Sequence, residues 1–148
     1  MAIAAYVLFA LAAGAALPLQ VGANSELARW VDSPVRAAFL SFAVGVVALA
    51  VLTAVAFRDW PSAGRIADAP WWAWLGGFLG VFYVIASVVT GPRLGAAAFV
   101  AVVLGGQSVA ALVLDHFGWV GFEQREISVG RIVGIVLVAA GVALVRAF

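Results

Sequence analysis

The sequence predicts an all-α integral membrane protein with five transmembrane helices, and three observations carry that prediction. Hydrophobic residues fill 66% of the 148 positions, and only eight basic and seven acidic side chains are present. A soluble domain carries about 25% charged and about 45–50% apolar residues. With a mean hydropathy of +1.17, this chain would leave more apolar surface than a 15.2 kDa fold can hide. The charges are also grouped, leaving uncharged runs over residues 1–25, 37–57, 69–92, 94–114 and 132–145. Finally, all six tryptophans (30, 60, 71, 72, 74 and 119) fall at or near the ends of those runs. That is where an interfacial aromatic belt lies.

A spanning helix needs about 20 predominantly apolar residues, and each element can be justified in turn. The first span covers residues 2–23, with continuation past Asn24 as a tilted or kinked helix also compatible. Pro18 inside it is tolerated where neighbours satisfy the freed backbone group. A cleavable leader fits poorly, because no Lys or Arg precedes the run and four more spans follow. Asp32-Ser33-Pro34 reads as an N-cap followed by proline at the first helical position, opening a second span over 34–57. Residues 58–70 hold four charges and two prolines, as an exposed loop would. The third span covers 70–91. Gly91-Pro92-Arg93 then reads as the tightest turn, returning a fourth span over 94–114 beside the third. Residues 115–130 mix aromatics, glycines and charges, as a loop at headgroup level does. The fifth span, 127–147, has a shorter uncharged stretch, but Arg131 and Arg146 can snorkel to the interfaces. The whole chain, 1–148, is expected to be one membrane domain with no soluble domain attached.

Composition excludes several functions. A formal net charge of +1 supplies no field for a polyanion, so nucleic acid is not an expected partner. The absence of cysteine removes disulfides and thiolate chemistry, and one histidine cannot make a multi-histidine metal site. Neither a cofactor nor a metal is expected, nor is an enzyme.

The arginines bear on orientation. Five spans put the termini on opposite sides of the membrane. One side then carries Arg58, Arg65, Arg125 and Arg131, and the other carries Arg29, Arg36, Arg93 and Arg146. Four against four removes the usual positive-inside determinant. Either orientation is set by features outside this pattern, or copies insert both ways and pair antiparallel. The second option would generate an inverted repeat, on which many secondary transporters are built.

Polar side chains within the spans are the candidate site. The third span aligns Gly76, Gly80, Tyr83, Ser87 and Thr90 on one face, opposite Phe78, Val81, Phe82, Ile85 and Val89. The first aligns Tyr6, Ala10, Ala13, Gln20 and Asn24, and the second offers Ser41, Gly45 and Ala48. The fourth carries a small-residue stripe ending at Asp115, with Gln107 about 100° away from it. Small residues at such spacing also serve close helix packing, and a lone Gln or Asn can be an interhelical hydrogen bond. As hydrogen-bonding wall groups for a small-molecule substrate the candidates are Gln20, Asn24, Ser41, Tyr83, Ser87 and Gln107. No carboxylate lies mid-span, which disfavours exchange of protons with a highly charged cation. Asp115 and His116 are either a coupling or gating pair at the membrane edge or a helix stop facing water.

Taken together, several segments resemble the YdcZ-like inner-membrane family of the drug/metabolite transporter superfamily. They are Gln20 and Asn24 after Pro18, Ser33-Pro34, Ser41-Phe42 with Gly45, Gly76-Gly77 with Gly80, and Thr90 with Leu94-Gly95-Ala96. Gly106-Gln107 and Asp115-His116-Phe117-Gly118 complete the resemblance, which runs over essentially the full length. It implies residence in the bacterial inner (cell) membrane and a five-helix half that pairs antiparallel into a ten-helix inverted repeat. In the fifth span, Gly134, Leu137 and Gly141 are similar to the last helix of small multidrug resistance exporters, which implies a dimer contact there. Those exporters carry a glutamate inside their first helix, whereas Tyr6 through Val21 of this first helix holds no acid, so their exchange mechanism does not transfer. The expected function is export of a small neutral, zwitterionic or amphipathic solute by an antiparallel homodimer in the lipid bilayer, through alternating access. The alternatives are a passive dual-topology channel and an accessory membrane subunit.

Overall fold

The computed structural model describes residues 2–57 and 60–147. Its elements are α1 (Ala2–Trp30), α2 (Pro34–Ala56), a short α3 (Ala63–Ala67), a 3₁₀ turn (Trp71–Trp74) leading into α4 (Leu75–Leu94), α5 (Ala96–Phe117), a second 3₁₀ turn (Trp119–Gly121) and α6 (Val129–Ala147). Among the described residues, five helices are long and apolar enough to cross a membrane: α1, α2, α4 with its leading turn, α5 and α6. Most of their large apolar side chains are exposed, and so are all six tryptophans. Such a surface is incompatible with water and suited to hydrocarbon. Arg58, one of the eight arginines in the four-to-four division, lies outside the described residues.

By its internal contacts the chain divides into two compact units, Met1–Pro92 and Arg93–Phe148. In the first, α1 packs on α2 as a helical hairpin. The hairpin turn is closed by backbone chemistry. Asp32 adopts the left-handed region at φ +52, letting the Ser33 N–H donate to the Ala28 carbonyl at 3.2 Å. This six-to-one bond ends α1 as a Schellman-type cap. The Ser33 hydroxyl then accepts from the Arg36 N–H at 3.3 Å, and Pro34 occupies the first turn of α2. This is the start that the Asp-Ser-Pro motif implied. A small core of Ala38, Val84 and Val88 joins α2 to α4, with Ala28, Tyr83 and Ile85 packed around it. Val21 of α1 reaches the bare backbone of Gly91 so closely that a Cβ there would lie 2.6 Å from its Cγ1.

In the second unit α5 packs on α6. Gly118, at φ +62, ends α5 in the left-handed conformation, and the following segment folds back so that the Arg125 N–H donates to the Asp115 carbonyl at 2.7 Å.

Two expectations from sequence need correction. The first helix does not end near residue 23; it continues to Trp30, because residues 24–30 bring no proline or glycine to interrupt it. Nor is Gly91-Pro92-Arg93 a turn. Helix α4 runs through Pro92 to Leu94, and the break falls at Gly95, whose φ of +82 and ψ of 154 suit glycine. Smaller differences follow at other ends: α5 extends to Phe117, and α6 starts at Val129.

Candidate functional site

Helices α1 and α2 bring Gln20 and Ser41 to a common cleft of about 240 Å³, whose remaining walls are Phe42, Gly45, Val46 and Leu49. Depth follows from the sequence. Gln20 lies six residues before Glu26 and Ser41 five residues after Arg36, so each sits roughly 7–9 Å inside the charged ends at 1.5 Å per residue. Glu26 marks the boundary because it pairs with Arg29 at 2.8 Å, in a mostly exposed contact suited to the interface. Gly45 leaves room in the wall. Phe42 is held from behind, since its ring lies 3.5 Å from where a Cβ of Gly80 would be. Gly80 therefore supports the cleft from outside.

Asn24 lies one turn further along α1. It is 5% exposed, and its Nδ2 has no hydrogen-bond partner. An unpaired amide in an apolar interior costs about 1–3 kcal/mol. The neighbouring Ser25 hydroxyl is also covered and unpaired. Neither lines the cleft, and both leave an unmet capacity for hydrogen bonding in the covered part of α1 about one turn beyond it. Tyr83 is half-buried against the Ala38–Val84–Val88 core.

Ser87 departs from the expected wall role. It is 1% exposed, and its hydroxyl donates to the Val84 carbonyl at 2.8 Å within its own helix. Thr90 does the same toward Ala86 at 2.7 Å. In a membrane helix a hydroxyl without a polar neighbour turns back to the preceding turn, so the polar face read on this span is used largely for packing.

Gln107 is exposed on α5 and lines neither groove of the second unit. Asp115 is not a helix stop facing water. Its carboxylate pairs with Arg131 of α6 at 3.1 Å, both side chains being about 30% exposed. Arg131, read from sequence as snorkelling to the interface, is thus engaged from the facing helix. The signal was available: opposite charges stand at the adjoining ends of two consecutive antiparallel spans. His116 has a covered Nδ1 without a partner, and its ring meets Phe117 edge-on at 4.8 Å. Phe117 in turn stacks on Trp119 at 4.7 Å. On α6, Gly134 borders the groove beside the ion pair, Leu137 is exposed, and a Cβ at Gly141 would meet nothing within 4 Å.

Five apolar spans, with Gln20 and Ser41 in a small interhelical cleft and the carboxylates of the described spans near the span ends, define a multi-pass membrane protein. Comparison narrows the class. The family described as "Putative inner membrane exporter, YdcZ" matches residues 5–144, and the chain belongs to that family. It is similar to the inner membrane protein YdcZ of Escherichia coli (strain K12), with 29% identity over 140 residues, covering 93% of this chain and 91% of that protein. No solved structure matches. The chain is accordingly a multi-pass protein of the inner membrane.

Proposed function

We propose that the protein is a secondary transporter, an exporter of a small neutral, zwitterionic or amphipathic solute, working by alternating access as a dual-topology antiparallel homodimer. The observation that carries this reading is the α1/α2 cleft, where Gln20 and Ser41 face a space of about 240 Å³ within otherwise apolar helices. Gln20 and Asn24 supply amide donors and acceptors, Ser41 a hydroxyl, and Phe42 an apolar wall. Such a set recognises a solute with a few hydrogen-bonding groups and an apolar part. Tyr83 of the first unit is assigned to the same pathway, Gln107 is a separate candidate wall group of the second unit, and Asp115 with His116 are assigned to coupling or gating at the membrane edge. The substrate preference rests on charge placement: every carboxylate of the described spans lies near a helix end, so no mid-membrane anion is offered to a cation. The even distribution of arginines and the open surface at Leu137 and Gly141 of α6 support the antiparallel pair.

The test is reconstitution into liposomes with a panel of solutes under imposed pH and potential gradients. Transport should saturate and respond to a gradient. Replacing Gln20 or Ser41 by Ala should raise the half-saturation concentration about fivefold, the equivalent of one lost hydrogen bond of about 1 kcal/mol. Flux that neither saturates nor couples would mean a channel. Absence of flux across the panel, with the protein folded and inserted, would favour the accessory-subunit reading.

A further inference from the structure

The second unit contains an interhelical groove of its own, distinct from the α1/α2 cleft that carries the proposed function. It runs between α5 and α6, measures about 360 Å³, and has Asp115 and Arg131 at its mouth. Besides the charged pair its lining is Ala111, Leu112, Gly134, Ile135, Val138 and Ser108, whose hydroxyl is turned back to donate to the Leu104 carbonyl at 2.7 Å. From Arg131 to Val138 is seven residues, about 10 Å at 1.5 Å per residue. The groove is open along its side, so an extended acyl chain can lie in it.

The mouth has its own chemistry. Asp115 and Arg131 are only 3.1 Å apart, and their side chains keep 27% and 32% of their surface open. The pair therefore presents a carboxylate and a guanidinium side by side, with no net charge. Arg131 also has one nitrogen, Nη1, covered and without an acceptor. The depth is that of the headgroups, because the Phe117–Trp119 stack caps the same helix end. A dipolar mouth above an apolar trough is complementary to a dipolar head above an acyl chain.

We propose that the α5/α6 groove binds a zwitterionic phospholipid bearing a primary ammonium: one acyl chain fills the trough, the phosphate engages Arg131, and the ammonium donates to Asp115. Phosphatidylethanolamine fulfils each requirement. Phosphatidylcholine lacks the N–H donors, and phosphatidylglycerol places no cation on Asp115. The inference concerns the second unit alone and does not depend on transport or on pairing of copies.

Native mass spectrometry of the full-length protein, released from detergent containing equimolar phosphatidylethanolamine, phosphatidylcholine and phosphatidylglycerol of identical chains, tests it directly. The expected result is retention of phosphatidylethanolamine at least fivefold above the other two. Asp115→Asn should reverse the order toward phosphatidylglycerol, because the mouth then carries a net positive charge. Arg131→Gln should abolish the preference, and Ile135→Trp should reduce retention of all three by filling the trough. Soluble glycerophosphoethanolamine should not compete, since it has no chain to seat. Equal retention of the three lipids by the unmodified protein would overturn the proposal without any variant needing to fold. So would a preference unmoved by Asp115→Asn, or displacement by the soluble headgroup.

Discussion

Replacing Gly91 by Ala tests the closest approach in the first unit. A Cβ at this position would lie 2.6 Å from Cγ1 of Val21, about 1 Å inside ordinary contact. Val21 is 6% exposed and cannot simply retreat. As a β-branched residue in a helix it has one strongly preferred rotamer, and leaving it costs about 0.5–1.5 kcal/mol. Overpacking of this kind costs about 1–3 kcal/mol in total. Alanine's better helix propensity returns up to about 1 kcal/mol, so the net loss should be about 0–3 kcal/mol. That range includes no effect, so the single variant does not decide the matter. The decisive quantity is the coupling in a double-mutant cycle with Val21→Ala, which removes the obstructing methyl. Propensity and cavity effects cancel in the cycle, leaving about 1–2 kcal/mol of favourable coupling, or about 5- to 30-fold in the unfolding equilibrium. Reversible unfolding of the four proteins in mixed micelles, followed by far-UV circular dichroism, provides the measurement. Additivity within about 0.5 kcal/mol would refute the contact.

Three further outcomes follow from the same structure. Gly118→Ala should destabilise the second unit by about 1–2 kcal/mol, the cost of a left-handed L-residue, because φ there is +62 and Gln124 lies 3.3 Å from the new Cβ; a smaller change in the same unfolding assay would mean that the turn relaxes. Breaking the half-exposed Asp115–Arg131 pair by Asp115→Asn should cost about 1 kcal/mol and lose most of its salt dependence, measured by unfolding at low and high ionic strength. Adding two arginines to the 58–70 loop should fix orientation, read by labelling of tags from each side, and should lower transport until an oppositely biased copy is coexpressed; labelling from one side only in the unmodified protein would end the dual-topology reading.

Local chemistry was legible wherever one or two residues dictate it. Ser33-Pro34 announces the start of α2 because a hydroxyl acceptor and a residue lacking an N–H are what a first turn needs. The spans were legible because charges mark their ends. Pro92 misled because glycine followed by proline reads as a turn in water, whereas in hydrocarbon a helix offers the only internal hydrogen bonding and continues to the next glycine. Ser87 misled for a related reason: a face of small and polar residues has the same spacing whether its hydroxyls meet a solute or their own carbonyls. Gln20 and Ser41 were identified singly from sequence, but their convergence on one cleft depends on the crossing of α1 and α2, which no local pattern records. The pairing of Asp115 with Arg131 is likewise a property of two helix ends meeting.

The lengths of the helices carry a mechanical consequence. With 29 residues, α1 measures about 43 Å, whereas α6, with 19, measures about 28 Å. Against a hydrocarbon layer about 30 Å thick, α6 is slightly short and α1 far too long, so α1 must lean or protrude. Thickening the bilayer would therefore relieve α1 while stretching its match to α6, and thinning it would do the reverse. With helices of such unequal length, acyl-chain length should change the tilt of α1, and with it the depth of Gln20, more than that of α6.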